Sequence, residues 1–306
     1  MIENLYLVND MKEKADNHYT ESQIKLLEML AKYRFLTVPH MMTLGIQKND
    51  KALSSRVILP LIRKTKPLIQ RNDDVRTNPS QGKLHYIYSL TDDGAKVVAE
   101  YLRCDIKDIV YPQKKPSFQH DYFHRCDYIR FYIAIERFFN QEKSNFRIKE
   151  AYHYFDNKRI QVRINNQQYP ATSLLYETII NNQVQQNKIE ADGIFITDNF
   201  QEQNVFIAEV HRTPNTKDIL EQINKHIEAM WFGAVLTRFN IKKNGYLLSV
   251  STEKTTLDNL LQRVKTLPAI ARFQKFIFFS SLDKIEQDFA NAWVDFNGVK
   301  INNFLV

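Results

Sequence analysis

A chain of 306 residues, 43% of them hydrophobic, can fill one large core or two smaller ones, and its length predicts two domains. Its formal charge of +7 and pI near 9.1 point to a polyanionic partner, nucleic acid before others. Several classes are excluded. No run approaches the roughly 18 apolar residues of a membrane span, and Met1-Ile2-Glu3-Asn4 lacks a signal-peptide pattern, so a cytoplasmic protein with no membrane association is expected. Cys104 and Cys126 form neither a disulfide framework nor a zinc motif. Seven glycines, with no GxGxxG or GxxxxGK(S/T), leave nothing to cradle nucleotide phosphates, so neither ATP nor NAD is expected.

Residues 1–18 are polar and weakly patterned, a flexible lead-in. Thr20-Glu21-Ser22-Gln23 resembles a capping box, and Ile24, Leu27, Leu30 and Ala31 follow at helical spacing, predicting a helix from about Glu21 to Lys32. A short helix starts at Thr37-Val38-Pro39 and ends near Gly45, and Asp50 is expected to cap a third helix carrying Leu53, Val57, Leu61 and Ile62. This is the helix-turn-helix order. Leu68–Arg71 and Lys83–Leu90 read as two strands around a polar tip, the wing of a winged helix, with another helix from Thr91 through Tyr101. Between Lys48 and Arg76 eight Lys or Arg face three Asp, and Lys51, Arg56, Arg63, Lys64, Lys66 and Arg71 are the expected DNA contacts. A lysine-rich solvated face is the plainer alternative.

Residues 1–110 thus form the expected winged-helix domain, 111–119 a Pro-containing linker, and 120–306 a second domain. That domain opens on a long helix to about Phe139, in which His120, His124 and Asp127 share one face. They are accessory metal ligands, or histidines hydrogen-bonded in a core. Phe146–Phe155 and Arg159–Ile164 read as a hairpin around 156–158. The Gln- and Asn-rich stretch 165–187 is hard to place, with a helix over 174–180 as its one readable element. Lys188–Ile196 and Asn204–Thr213 read as two central strands, followed by a helix from Pro214-Asn215-Thr216 with Ile219, Leu220, Ile223, Ile227 and Met230 on one stripe. Strand, helix, aromatic strand and helix then follow over 246–250, 257–267, 273–279 and 282–289. The alternation implies an α/β layer with a mixed sheet.

The two central strands carry the chemistry. Asp192 and Glu209 are flanked by apolar residues on both sides, and a carboxylate so placed is costly to bury without a partner. Period-two alternation puts Glu209 and His211 on one face. An Asp, a turn and Glu-x-His therefore make a geometric candidate for divalent metal ligation, against the alternative of a salt bridge with Lys188, Arg212 or Lys225.

The pattern Ala-Asp-Gly, then Ala-Glu-Val-His-Arg-Thr-Pro-Asn-Thr and an amphipathic helix, behind a helix-turn-helix and a His-containing helix, resembles the replication-relaxation family. That family includes MOBC-type relaxases of mobilisable plasmids, related to PD-(D/E)xK nucleases. The resemblance implies an α+β protein: an N-terminal winged helix-turn-helix followed by an α/β restriction-endonuclease-like domain with a mixed sheet. It makes Asp192 and Glu209 the acidic pair and ligands of Mg²⁺ or Mn²⁺. His211 stands where such nucleases have lysine, and Lys225 or Gln222 on the next helix would replace it. The implied activity is metal-dependent nicking of one strand at a transfer origin. Double-stranded and nicked DNA would be the substrates, with a coupling protein or other mobilisation factors as partners. A non-catalytic DNA-binding replication or transfer regulator with a degenerate nuclease fold is the alternative, and a protein that only recruits mobilisation factors a third. The attacker is water or one of the tyrosines near the expected core, Tyr122, Tyr128, Tyr152 and Tyr154.

Overall fold

The computed structural model describes residues 19–72, 77–78, 82–113, 118, 121–141, 146–156, 160–164, 166–180, 182–199, 202–243, 245–267 and 269–301. The expected lead-in, the middle of the linker, the tip of the expected wing and His120 lie outside them. The chain divides into two compact units, Met1–Ile129 and Arg130–Val306.

In the first unit α1 (Glu21–Tyr33) starts on a capping box, in which the Gln23 N–H donates to Thr20 Oγ1 (3.3 Å) and the Thr20 N–H to Gln23 Oε1 (3.1 Å). Leu26, Leu27 and Leu30 form its fully buried stripe. A short β1 (Leu36–Thr37) leads into α2 (Val38–Thr43), which carries Pro39 in its first turn and stops before Gly45 at φ +66°. The next helix is capped by Asn49 and not by Asp50: Asn49 Oδ1 accepts from the Ala52 N–H at 2.8 Å, and Asp50 is the first residue of the first turn. Both residue types suit either place, so the sequence leaves the choice to the preceding turn.

That helix changes character along its length. From α3 (Asp50–Ala52) it passes through a π-helical stretch, Leu53–Ile58, into α4 (Leu59–Ile62). Pro60 supplies the reason: it has no N–H to give the Arg56 carbonyl four residues back. The Leu59 N–H donates instead to Ser54, five residues back, and the Arg56 carbonyl takes the Gln23 side-chain amide of α1 at 3.1 Å.

β2 (Ile69–Asn72), β3 (Thr77–Asn78), β4 (Gly82–Lys83) and β5 (Ile87–Leu90) follow. The sheet order is β1-β5-β2, antiparallel throughout, and β3 pairs with β4 as a separate piece. The expected single strand from Lys83 to Leu90 is therefore broken at 84–86. α5 (Asp92–Leu102) begins on the Thr91 cap. At Gly94 a Cβ would lie 1.9 Å from the Leu68 carbonyl oxygen, so only glycine lets this helix lie so close to the chain entering β2.

The division between units falls inside α6 (Tyr122–Phe139). The second unit then runs through β6 (Arg147–His153), β7 (Gln161–Ile164), β8 (Gln167–Pro170), β9 (Ser173–Ile180), β10 (Gln183–Glu190), β11 (Gly193–Asp198), β12 (Gln203–His211), α7 (Thr216–Trp231) and α8 (Ala234–Phe239). It ends with β13 (Tyr246–Ser251), α9 (Lys254–Val264), β14 (Ile277–Ser281) and α10 (Leu282–Gln287). Five strands form a mixed sheet in the order β14-β13-β12-β11-β6, with β12, β13 and β14 parallel and β11 antiparallel to both its neighbours. Ile219, Ile223 and Ile227 of α7 and Leu257 and Leu260 of α9 pack on Val205, Ile207, Leu247 and Ile277. On the opposite face Phe131 meets Phe195 (6.0 Å between ring centres), and Phe139 meets Phe206 (5.5 Å). The unit is thus a mixed α and β structure built on a mixed sheet, as expected.

Three expectations for this unit are corrected. Residues 146–155 and 159–164 are not a hairpin: β6 pairs with β11, and β7 pairs with β8 across a turn holding Asn166 at φ 64°. Residues 174–180 are a strand and not helical, since Leu174 and Tyr176 point inward at period two and Asn182, at φ 59°, closes the hairpin with β10. Finally, Lys188–Ile196 is two strands in two sheets. The break is held by Ala191 N–H donating to Thr172 O (3.1 Å) and Tyr154 N–H donating to Asp192 O (2.9 Å). The outer edge of β14 is covered by the segment after α10, where Phe279 and Val294 exchange two backbone hydrogen bonds of 2.9 Å and Trp293 is fully buried. Among the described residues no helix is long and apolar enough to cross a membrane.

Candidate active site

The break before β11 places the first carboxylate. Gly193 pairs with Ala208, so Asp192 sits one step further, opposite Glu209. Its Oδ2 accepts the Val210 N–H at 2.8 Å, and the residue stays half-buried. Alternation along β12 turns Glu209 to the face covered by α7, beside Val205 and Ile207, where it is 1% exposed.

Helix α7 supplies what meets it. Gln222 and His226 are one turn apart on the same face. Gln222 Nε2 donates to Glu209 Oε2 at 2.5 Å, and His226 Nε2 lies 2.5 Å from Glu209 Oε1. His226 is fully buried, and among the described residues its Nδ1 meets no hydrogen-bonding partner. His211, 5% exposed, places Nε2 3.0 Å from Ser249 Oγ on β13.

The electrostatics of this group follow from burial. Desolvation, and then the nearby charge of Asp192, push the Glu209 carboxyl well above the usual carboxylate range. Desolvation, and then His211, pull the His226 imidazole down to about 3, with Asp192 opposing. The pair has the geometry of a salt bridge, but both shifts favour the neutral forms. A protonated Glu209 donates to His226 Nε2, which puts the ring proton on Nδ1.

The other expected site residues are distributed as follows. Lys225 pairs with Glu221 at 2.8 Å on the exposed side of α7, and Lys188 with Glu190 at 2.6 Å, so neither of these two expected cations is what meets Glu209, and Arg212, the third, is exposed. The two pairs, with Asp218 and Gln222, line an open cleft of about 400 Å³. Gln222 is therefore the side chain between that cleft and the buried carboxyl. His124 and Asp127 are half-buried residues of α6 on the first unit's side of the division. Among the tyrosines, Tyr122 donates to the His85 carbonyl at 2.9 Å with its phenol pushed up by burial, and Tyr128 is fully buried. Burial, then the hydrogen bond to Glu150, raise the Tyr152 phenol to about 12.

Two carboxylates whose fields overlap, one driven to hold its proton, are groups that a divalent cation would relieve. Among the described residues no three His, Cys, Asp or Glu stand together as a metal-binding group. A Mg²⁺-type site needs only one or two carboxylates, with water and substrate phosphate completing it. His226 was not anticipated. Its signal is a histidine inside the apolar α7 stripe, one turn from Gln222.

In the first unit Lys51, Arg56, Arg63, Lys66 and Arg71 are exposed. Lys64 is half-buried with Nζ 4.2 Å from the Tyr19 ring centre, and the Arg71 guanidinium lies 4.4 Å from that of Tyr86. No family model, curated protein or solved structure matches the chain.

Proposed function

We propose that the protein is a plasmid mobilisation relaxase, in which a winged helix-turn-helix binds the transfer origin and a PD-(D/E)xK nuclease-like domain nicks one strand. The observation that carries this reading is the placement of Asp192, just before β11, opposite Glu209 near the end of β12, with Gln222 and His226 fixing the second carboxylate. The exposed cations from Lys51 in α3 to Arg71 in β2 support the DNA-binding part, since phosphate contacts need solvent-facing positive charge. The order of antiparallel strands, helix and parallel strand around the acidic pair accords with the nuclease-like part.

Asp192 and Glu209 would hold Mg²⁺ or Mn²⁺. Bound there, the ion supplies charge stabilisation at the phosphoryl group and a more acidic attacking group. The chain's own contribution is positional. Val210 N–H fixes one Asp192 oxygen, Gln222 and His226 fix the two Glu209 oxygens, and the apolar residues of the sheet and α7 hold these elements together. Lys225 and Lys188 border the same cleft as Gln222 and offer positive charge to an incoming phosphate.

A DNA-binding replication or transfer regulator is the second reading. One observation favours it: both Glu209 oxygens are already engaged inside the protein. Incubation of supercoiled plasmid carrying the origin with the protein and Mg²⁺ or Mn²⁺ decides between them. Conversion to the open circle, abolished by a chelator, is the expected result, and binding without conversion would leave the regulator.

A further inference from the structure

At the end of α7 the chain places two aromatic side chains in solvent. Trp231 is 50% exposed and Phe232 47% exposed. Single exposed apolar residues are ordinary, but these two are adjacent and share a concavity of about 310 Å³ with Ile227 and Ala269. Each ring is held in a fixed attitude. The Tyr176 ring stacks on Phe232 at 5.8 Å and 10°, and Tyr176 is itself anchored by donating its hydroxyl to Glu228 at 3.1 Å. Phe273 meets the Trp231 indole edge-on at 6.3 Å, and the Arg272 guanidinium lies 4.5 Å from the indole centre.

The patch sets two aromatic faces and the Arg272 guanidinium beside Ile227, Ala269 and the Glu228 carboxylate, whose two oxygens accept from Tyr176 and Asn224. Flat π faces held rigid beside an arginine suit planar, electron-poor rings joined by anions, and successive bases of an unpaired strand are such rings. Arg272 and Lys275 are both exposed on the loop leading to β14 and offer charge to the phosphates between the bases. Duplex DNA hides its base faces and has no use for such rings. A chain of net charge +7 draws the strand to the surface, and stacking then holds it. From these observations we infer that Trp231, Phe232 and Arg272 form a stacking platform for single-stranded DNA. The choice of DNA over RNA rests on the function proposed above, whereas the stacking does not.

The test uses the full chain and an oligothymidylate of roughly a dozen nucleotides, within the usual range of single-strand sites. The chain has two tryptophans, and Trp293 is fully buried, so quenching of the emission reports Trp231 wherever that residue is kept, and the affinity of Trp231→Ala is read from the anisotropy of a fluorescein-labelled oligothymidylate. Trp231→Ala and Phe232→Ala should each weaken oligothymidylate binding by about 5- to 150-fold, the range that loss of one stacked base gives. Arg272→Gln should weaken it less and flatten its salt dependence. Far-UV circular dichroism should match wild type in all three, since these side chains are half in water. Duplex affinity should be unchanged in all three, which separates this proposal from the DNA reading of the first unit. Oligouridylate bound tenfold more tightly than oligothymidylate would overturn the choice of DNA. Unaltered oligothymidylate affinity in the aromatic variants would overturn the platform. So would concentration-dependent dimerisation in the ultracentrifuge that Trp231→Ala abolishes with single-strand binding intact, since the patch is then a contact between copies of the chain.

Discussion

Replacing Glu209 by Gln tests the electrostatic core of the site without reference to any activity. Gln has the same length and keeps one acceptor for Gln222 and one donor for His226, so packing is conserved and only the titration is lost. Unfolded, the two groups titrate near 4.5 and 6.5; folded, Glu209 titrates well above its value and His226 near 3. Between pH 4.5 and 6.5 unfolding releases the Glu209 proton and takes one up at His226, so the pair contributes no net slope. Above 6.5 only the Glu209 release remains. Wild-type stability then falls as pH rises, by a factor of about ten in the folding constant per pH unit, until the folded pKa of Glu209 is passed. In Glu209→Gln the release is absent. Stability from this site rises with pH up to 6.5 and is flat beyond, so the variant gains on wild type by about tenfold per unit until the folded pKa of Glu209 is passed. The assay is urea unfolding between about pH 5 and 8 with a chelator present. Both tryptophans lie in the second unit, so their emission follows that unit alone. A stability difference that stays constant across this range would refute the argument, because Glu209 would then be ionised in the fold.

Three further outcomes are expected. Asp192→Asn and Glu209→Gln should each cut metal-dependent nicking by about a hundredfold or more while leaving duplex binding intact, measured on supercoiled plasmid beside a gel-shift titration; His211→Ala, whose ring contacts Ser249, should cost less. Alanine at Arg56, Arg63 and Lys66, all exposed, should weaken duplex binding and lower its log–log salt slope by about one for each phosphate no longer neutralised; an unchanged slope would move DNA binding elsewhere in the chain. Gly94→Ala should destabilise the first unit by about 3 kcal/mol or more in a thermal or urea melt, because the new Cβ meets backbone that cannot swing aside.

The sequence makes some of these features legible and hides others, for identifiable reasons. Helices α1 and α7 announce themselves because an amphipathic stripe and a capping residue agree. Glu209 is readable because a carboxylate within an apolar strand stands out, and Asp192 because apolar residues flank it on both sides. The break at Ala191–Asp192 is hidden, since local preference continues across it and only pairing with two different partners ends one strand and starts the next. The β9–β10 hairpin is masked by its Gln and Asn content, which carries no period on the outward side. Leu174, Tyr176 and Ile189 mark its inner face. His226 escapes because a histidine in an apolar stripe resembles an ordinary core residue until the strand beneath it is known.

The segment that seals β14 has a consequence for anyone shortening the chain. Val294 occupies the hydrogen-bonding edge of β14 through both its backbone groups, and Trp293 closes the space beneath, edge-on to Phe289 at 5.3 Å. A fragment cut after α10 would keep every strand of the sheet and both carboxylates, yet present a fully buried apolar strand, Ile277–Ser281, with an open side. Such an edge recruits another strand of its own kind. Fragments of the second unit ending before Trp293 should therefore collect as insoluble material despite an intact site, whereas those that retain 293–301 should stay in solution.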